Sequence, residues 1–313
     1  MADVLTVHGG ATSPMTSTRP DIICIGSVLW DIIGRAPRTM PFGADVPGRI
    51  TRLPGGVAMN VAMTLRRFAL RPTLLTAIGC DAAGEELLAV CSGLGIGTEY
   101  AFRSPTLPTD RYLAIEDVNG LVGAIADAHS LEAAGDQILA PLGDGRLGTR
   151  TTPWRGLVAL DGNLTAELIA QIAKSPLFAM ADLRVAPASP GKVERLRPLL
   201  SHPRVTLYVN LEEACQLCDG QHVGAASAAG GLIAAGARRV LVTDGGRECA
   251  DGMAGEGVLI GFPQKVRVNR ITGAGDTFMA AHIIAERNGG TRAQALEAAH
   301  RAAADYVSQE IGS

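Results

Sequence analysis

The chain has 313 residues, of which 47% are hydrophobic and 19% charged, so it is long enough for one large core or a core with a small appendage. Its formal net charge of -3 offers no basic field for nucleic acid or anionic lipid, and no apolar run reaches the roughly 18 residues of a membrane helix. We therefore expect neither a nucleic-acid partner nor a membrane-embedded protein.

The first 20 residues lack the apolar segment of a secretory signal, so we expect a loose tail followed by a single domain over residues 21–313. The six cysteines are scattered, which favours a reducing cytoplasm over a disulfide framework. Cys215 and Cys218 form a C-x-x-C motif. Because no second pair or histidine cluster accompanies them, two packed helix cysteines are favoured over a metal or redox site.

Short apolar runs alternate with helical patterns along the rest of the chain. Strands are predicted at 21–27, 73–79, 156–160, 177–182, 205–210 and 239–246. Continuous apolar strands with helices between them indicate a mainly parallel sheet covered by helices on both faces. Such sheets carry their sites at the carboxyl ends of the strands. Polar residues predicted at those ends are Asp161, Asp182, Asn210 and Asp244.

Two segments interrupt this alternation. Residues 31–53 are rich in Pro, Gly and Arg, and residues 108–125 have the pattern of a hairpin with a turn at Asn119-Gly120. Partly apolar hairpins inside an α/β chain indicate a small sheet that stands over the site as a lid.

The segment "NRITGAGDTF" (269–278) carries three nearly bare residues followed by an acid and an apolar helix. The residues are Gly273, Ala274, Gly275 and Asp276. Unshielded amides at a helix start bind an anion, and an adjacent carboxylate is useful if that anion is a phosphoryl group in transit to a hydroxyl group. The alternative is an N-terminal Asp on a helix whose glycines allow close packing.

A second glycine motif lies in "LPGGVAMN" (53–60), where Gly55 and Gly56 precede a helix with Asn60 in its first turn. The glycines would let a small ligand approach and Asn60 would bind its hydroxyl groups. A loop with a capping amide is the alternative. Asp31, which follows an apolar strand, is either a turn former or an acceptor for two vicinal hydroxyl groups.

Two further strand ends carry polar residues. Asn210 and Glu213 lie three apart at a strand-to-helix junction. Glu213 could orient water around Mg²⁺ or simply be an acid at a helix start. The turn from Thr243 through Asp244 to Gly246 could line a nucleotide.

The two glycine motifs, in this order and about 200 residues apart, resemble the PfkB (ribokinase-like) carbohydrate kinase family. The resemblance covers roughly residues 21–310 and implies a three-layer α/β domain with a β-sheet lid, which transfers the γ-phosphoryl group of ATP to a sugar hydroxyl with Mg²⁺. It implies that Asp276 is the general base and that Gly273, Ala274 and Gly275 form the anion hole. By the same resemblance, Asp31, Gly56 and Asn60 hold sugar hydroxyl groups.

On the nucleotide side, the resemblance implies that Asn210 and Glu213 form the N-x-x-E motif near phosphate and Mg²⁺. The residues expected to bind nucleotide are Asn210, Thr243, Asp244, Gly246, Thr272 and Lys192. Arg270-Ile271 stands where many relatives have Asp-Thr, which puts in doubt the monovalent-cation loop that some of them carry.

Within the family, the segments 110–128, 160–169 and 181–196 resemble pseudouridine kinases, which makes pseudouridine the expected acceptor. This resemblance adds Asp127, Asp161 and Asn163 as substrate-binding candidates. Trp30 either narrows the pocket or packs beneath the lid. An apolar lid face would favour a homodimer.

Three alternatives stay open or are disfavoured by particular residues. A kinase for a free sugar or a purine nucleoside would use the same motifs. A catalytically silent nucleoside-binding protein would not need Asp276. A dinucleotide-dependent oxidoreductase is disfavoured because "CIGSVLWD" (24–31) is no G-x-G-x-x-G.

Overall fold

The computed structural model describes residues 19–269, 271 and 273–309, so most of the predicted tail and Thr272 lie outside the described residues. The strands are β1 Ile22–Ile25, β2 Leu29–Arg35, β3 Arg49–Gly55, β4 Pro72–Leu75, β5 Ala77–Gly79, β6 Phe102–Ser104, β7 Arg111–Asp117, β8 Gly120–Asp127, β9 Leu157–Asp161, β10 Asp182–Ala186, β11 Val205–Asn210, β12 Arg239–Thr243, β13 Cys249–Met253 and β14 Gly257–Gly261.

The α-helices are α1 Val57–Arg67, α2 Ala82–Gly93, α3 Ser130–Ala134, α4 Ala166–Lys174, α5 Leu211–Leu217, α6 Ala225–Ala234, α7 Ala274–Arg287 and α8 Arg292–Ser308. Two 3-10 segments cover Gly135–Leu142 and Pro190–Leu199. In the described part of the chain, no helix combines the length and apolar character needed to cross a membrane.

Eight strands form the central sheet in the order β14-β13-β12-β11-β10-β9-β1-β4. The strands from β12 to β4 are parallel, whereas β13 and β14 run antiparallel at one edge. Asp161 ends β9, and Asn210 and Thr243 are register partners at the ends of β11 and β12. Since parallel strands end on the same edge of a sheet, these three residues share one edge.

Helices cover both faces of the central sheet. Ile23 and Ile25 of β1 point into a core shared with α4, α5 and α6, while Ile22 and Cys24 point into a second core shared with α1, α2, α7 and α8. All four side chains have no solvent exposure. Alternation of side chains along a strand thus produces two cores and three layers, which confirms the predicted fold class.

A second sheet, the lid sheet, contains four strands in the order β3-β2-β7-β8. The predicted hairpin is β7 and β8, and Gly120 at its turn has a φ of 109°, which glycine adopts without strain. β2 pairs with β7 in parallel, with Asp31 opposite Tyr112. The lid sheet therefore includes Asp31 itself.

The predicted strand at 177–182 is wrong. Residues 177–181 form turns, and the strand begins at Asp182 and runs to Ala186. The pattern misled because Arg184, in the middle of β10, is a charged residue that is buried with its own ion-pair partners. Asp182 consequently lies at the amino end of its strand, away from the edge that carries Asp161.

Candidate active site

Asp276 lies in the first turn of α7, behind Gly273, which caps the helix with a left-handed φ of 89°. A Cβ atom at Gly273 would come within 2.5 Å of the Tyr306 hydroxyl oxygen, so both the backbone angle and the packing require glycine. The Asn60 amide nitrogen donates to an Asp276 carboxylate oxygen at 3.1 Å. The two glycine motifs of the sequence therefore meet in space, although 216 residues separate Asn60 from Asp276 along the chain.

The carboxylate of Asp276 is a stronger base than an ordinary aspartate. Its pKa is raised from 3.8 to about 7, because burial disfavours the charged form. The hydrogen bond from Asn60 opposes this increase, and the negative charge of Asp161 adds to it. A group with a pKa near neutral suits proton abstraction from a hydroxyl group.

The start of α7 also offers room for an anion. Apart from its chain neighbours and the backbone of its own helix, no described atom lies within 4 Å of a Cβ atom built at Gly275, and Gly275 is exposed. The Ala274 amide donates to the Ile271 carbonyl, and the Thr277 amide donates to the Gly273 carbonyl. The amides of Gly275 and Asp276 are those that helix geometry leaves for an outside acceptor.

The glycines before α1 let parts of the protein itself come close. A Cβ atom at Gly55 would lie 2.0 Å from the Asp31 carboxylate, and one at Gly56 would lie 2.4 Å from the Ser27 carbonyl oxygen. Gly56 also has a φ of 93° and no side chain with which to cap the helix. These contacts place the Asp31 carboxylate one helical turn from Asn60.

Ser27 and Asp161 supply the missing cap of α1 from outside the helix. The Ser27 hydroxyl oxygen accepts from the Val57 amide at 3.0 Å, and the Ser27 carbonyl accepts from the Met59 amide at 3.4 Å. The Asp161 carboxylate accepts from the Ala58 amide. Three of the four amides that a helix start leaves unpaired are thus satisfied by Ser27, in the loop after β1, and by Asp161, the last residue of β9.

Asp161 is 1% exposed and is surrounded by donors. The Ser27 amide and hydroxyl donate to one of its oxygens at 2.8 and 2.5 Å, and the Asn163 amide donates to the other at 2.6 Å. Burial nevertheless raises its pKa. The Asn163 side chain donates to Ser27 Oγ at 2.9 Å and accepts from Lys192 Nζ at 2.7 Å. Asp161, Asn163 and Lys192 therefore belong to one network beneath α1.

Asp31 lies on β2 of the lid sheet, and burial raises its pKa from 3.8 to about 6. Its register partner Tyr112 occupies the same face of the sheet, and its hydroxyl has a raised pKa through burial and the charge of Asp31. Sequence reasoning missed Tyr112. The alternation of "RYLAIED" could have placed it on the face of Asp31 only if the parallel pairing of β2 with β7 were known.

Asp127 lies on the opposite face of the lid sheet. The register aligns Trp30, Arg111 and Asp127 across three strands, one position before the Asp31 row. The Asp127 carboxylate is 3.6 Å from the Arg111 guanidinium and about half exposed. The structure therefore joins Asn60 to Asp276 and places Asp31 beside Gly55, just before the helix that carries Asn60, whereas Asp127 lies on the other face of the lid sheet.

Asn210 and Glu213 form a reciprocal capping box at the start of α5. Asn210 Oδ1 accepts from the Glu213 amide at 2.9 Å, and Glu213 Oε2 accepts from the Asn210 amide at 2.8 Å. Glu213 is 7% exposed, and burial raises its pKa. One of its oxygens thus has a structural role, which leaves the other as the atom with which it could meet a metal-bound water.

The turn after β12 presents Thr243, Asp244 and Gly246 beside Asn210 on the same sheet edge. The Asp244 carboxylate holds the Arg247 guanidinium through two contacts of 2.5 and 2.7 Å. Among the described residues, nothing lies within 4 Å of a Cβ atom at Gly246, so its backbone is accessible. The predicted nucleotide-binding turn therefore lies at the same sheet edge as the start of α5.

Few side chains in the described part of the chain are arranged to bind a metal ion. No group of three or more His, Cys, Asp or Glu side chains within residues 19–269 and 273–309 could hold an ion. A lone buried carboxylate such as Glu213 fits Mg²⁺, which usually keeps several waters and is held largely by substrate phosphates.

Two other sequence candidates have structural roles. The Trp30 indole is 3% exposed, donates to the Ala83 carbonyl at 2.9 Å and supports the Arg52 guanidinium, so it packs beneath the lid sheet. Cys218 donates to the Ala214 carbonyl at 3.0 Å, and burial raises the pKa of its thiol. A raised thiol pKa disfavours the reactive thiolate.

The far end of α7 is fixed by a buried ionic cluster. The Glu286 carboxylate receives Arg184 and Arg239 at 2.5 Å each, and Arg239 also binds Asp251 at 2.7 Å. Burial opposes the charge of Glu286, but His282 and the two arginines hold its pKa down at about 2. The helix that carries Asp276 is therefore anchored to β10, β12 and β13.

The chain matches known proteins over most of its length. The model of the pfkB family carbohydrate kinases matches residues 19–311. Over 272 residues the chain is 29% identical to the pseudouridine kinase of Escherichia coli K12, with 83% of this chain and 81% of that protein covered.

Solved structures share the fold. A carbohydrate kinase from Agrobacterium tumefaciens has a TM-score of 0.75 at 24% identity, with 90% of this chain and 89% of that chain covered. The ribokinase of Arabidopsis thaliana, complexed with ribose and ATP, has a TM-score of 0.74 at 21% identity, with 94% of each chain covered.

Proposed function

The chain belongs to the PfkB family of carbohydrate kinases, and on that premise we propose that it transfers the γ-phosphoryl group of ATP to the 5′-hydroxyl group of pseudouridine. Family membership makes it a phosphotransferase that acts on a hydroxyl group of a sugar or nucleoside. The observation that carries the proposed chemistry is the contact between Asn60 and Asp276.

The choice of pseudouridine has separate support. The pseudouridine kinase of Escherichia coli is similar over four fifths of both chains. Tyr112 on the lid sheet adds an aromatic ring and a phenolic hydroxyl on the same face as Asp31. A nucleobase next to the ribose would use such a ring, because aromatic side chains and Arg planes stack on bases.

In the proposed reaction, Asp31 and Asn60 bind the ribose hydroxyl groups, with the deprotonated Asp31 accepting from two vicinal hydroxyls. Asp276 takes the proton of the 5′-hydroxyl group as the oxygen attacks the γ-phosphorus of ATP, and the bond from that phosphorus to the β–γ bridging oxygen breaks, so that ADP leaves with the bridging oxygen. The amides of Gly275 and Asp276 donate to the equatorial oxygens of the phosphoryl group as charge spreads over them. The lid sheet excludes water, which would otherwise compete as the acceptor.

We assign the nucleotide to the part of the central-sheet edge formed by the ends of β11 and β12. The Asn210 capping box and the turn from Thr243 to Gly246 lie side by side there. When bound with ATP, Mg²⁺ would neutralise phosphate charge, and Glu213 would hold one of its waters. Gly273 and Ala274 set the backbone of the anion site, and Thr272 and Lys192 remain proposed nucleotide-binding residues.

The deciding experiment is an ATP-consumption assay with pseudouridine, uridine, ribose, fructose, adenosine and inosine as acceptors. We expect the highest kcat/KM with pseudouridine, and product analysis should show a 5′-phosphate. A higher kcat/KM with ribose or fructose would assign the enzyme to free sugars. No turnover with any acceptor, together with binding of pseudouridine in calorimetry, would indicate a silent nucleoside-binding protein.

We also propose a cytoplasmic homodimer that assembles through the lid sheet. The lid face opposite Asp31 carries exposed apolar side chains in register on adjacent strands. They are Ile50 at 76% exposure, Leu113 at 39%, Ile115 at 37% and Ile125 at 65%. All six cysteines are free thiols, as a reducing compartment would keep them.

A further inference from the structure

Helix α1 begins without a capping side chain of its own, although it carries Asn60. Its cap residue is Gly56, and the Ser27 carbonyl occupies the space that a Cβ atom would need. Ser27 and Asp161 instead bind the amides of Val57, Ala58 and Met59. The position of the first turn of α1 is therefore set by one residue from the loop after β1 and one from the end of β9.

This arrangement is built to be rigid. Ser27 is 4% exposed and Asp161 is 1% exposed, and a hydrogen bond of 2.5 Å joins their side chains. Asn163 binds both of them and carries Lys192 on its other side. About one turn further along α1, the Asn60 side-chain amide donates to the Asp276 carboxylate.

We propose that Ser27 and Asp161 are a positioning pair: they hold the first turn of α1 from outside the helix and thereby fix Asn60 against Asp276. Neither residue needs to touch the acceptor for this role, because the Asp161 carboxylate is already occupied by protein donors. This inference rests on the proposed function for its kinetic consequences only.

The test of the positioning role is Ser27→Ala with Thr291→Ala as the matched control. Thr291 caps α8, accepts from the Gln294 amide and lies just beyond the carboxyl end of α7, at the end of that helix opposite Asp276. Both variants lose a helix-cap hydrogen bond, but Ser27→Ala also removes the buried bonds to Asp161 and Asn163, so its thermal stability should fall further. We expect kcat of Ser27→Ala to fall roughly 10- to 100-fold with an unchanged KM for ATP, and kcat of Thr291→Ala to match the wild type.

A second readout needs no turnover. Amide hydrogen exchange of residues 57–60 should become faster in Ser27→Ala and stay unchanged in Thr291→Ala. The positioning role is refuted if kcat of Ser27→Ala stays within twofold of the wild type and amide exchange of residues 57–60 is unchanged. An equal loss of kcat in Thr291→Ala would also refute it, because stability alone would then explain the effect. If the wild type is inactive with every acceptor and exchange still changes, the proposed function fails and the positioning pair stands.

Discussion

The side-chain amide of Asn60 lies 3.1 Å from the carboxylate of Asp276. A residue of the glycine motif at 53–60 therefore contacts the proposed base in the glycine motif at 269–278. Asn60 donates to the charged form of Asp276 and thereby opposes the effect of burial on its pKa. The contact joins α1 to α7 at the point where phosphoryl transfer is proposed.

We expect Asp276→Asn to keep the fold and acceptor binding but to lower kcat by about 10²–10⁴-fold, because it removes the general base. Steady-state kinetics with calorimetry of acceptor binding would measure both. Near-normal kcat in this variant would contradict the role of Asp276.

The same variant should be more stable than the wild type at high pH. The pKa of Asp276 is higher in the folded protein than the usual 3.8, so the folded state loses stability as pH rises from about 4 through about 7. The shift corresponds to at most about 4 kcal/mol at 1.36 kcal/mol per pKa unit. Chemical denaturation should show a gain for Asp276→Asn at pH 8 that disappears at pH 4.

The pH dependence of kcat should report the Asn60 contact. In the wild type, kcat should rise with pH through about 7 as Asp276 loses its proton. In Asn60→Leu the rise should move to higher pH by about one unit, since a hydrogen bond to the charged form is lost. If kcat of Asn60→Leu rises over the same pH range as kcat of the wild type, the rise is not caused by deprotonation of Asp276.

Asp31→Asn should raise KM for the acceptor by roughly 10- to 100-fold and leave KM for ATP unchanged, because a charged hydrogen-bond acceptor is removed. In the wild type, KM for the acceptor should rise as pH falls through about 6, where Asp31 becomes protonated. Gly55→Ala should reproduce the effect of Asp31→Asn by displacing this carboxylate.

Gly123→Ala is the matched control for Gly55→Ala, since no described atom lies within 4 Å of a Cβ atom at this lid position. If both alanine variants raise KM equally, the effect belongs to the lid strands in general and the specific contact with Asp31 is not responsible.

Glu286→Gln should destabilise the protein by about 3–5 kcal/mol, because it leaves Arg184 and Arg239 buried without their shared carboxylate. The pKa of Glu286 is lowered to about 2, so its contribution is present above about 4.5 and is lost as pH falls towards 2. Urea denaturation at pH 7 would measure the loss. Glu297→Gln, which breaks an exposed pair with Arg301, should have no measurable effect.

Ile125→Lys should convert the proposed dimer to a monomer, because it places a charge in the exposed apolar face of the lid sheet. Sedimentation velocity at micromolar protein would detect the change. Val223→Lys, at a fully exposed position outside the lid sheet, is the control. A dimer that survives Ile125→Lys would place the interface elsewhere.

The sequence predicted the layers and the two halves of the cleft because these depend on local patterns. Continuous apolar strands marked β1, β9, β11 and β12, and glycines before an acid marked the start of α7. The strand at 182–186 was missed because Arg184 is buried with Glu286, which lies 102 residues away. No local pattern reveals such a partner.

The cap of α1 shows the same limit. The spacing of Gly55, Gly56 and Asn60 indicated a ligand-binding loop, and Asn60 does face Asp276. Nothing in the spacing indicated that Ser27 would fill the place left by the glycine side chain, because that contact depends on how the loop after β1 packs against the start of α1. Asp161 was predicted as a substrate ligand on resemblance, and its saturation by protein donors emerges only from the fold.

β3 ends at Gly55 and α1 begins at Val57, so Gly56 alone connects the lid sheet to the helix that bears Asn60. Gly56 has a φ of 93°, and a Cβ atom there would meet the Ser27 carbonyl oxygen at 2.4 Å. Any larger residue at this junction would have to displace either the lid strand or the helix, so a one-residue connector ties the geometry of the lid sheet to that of α1.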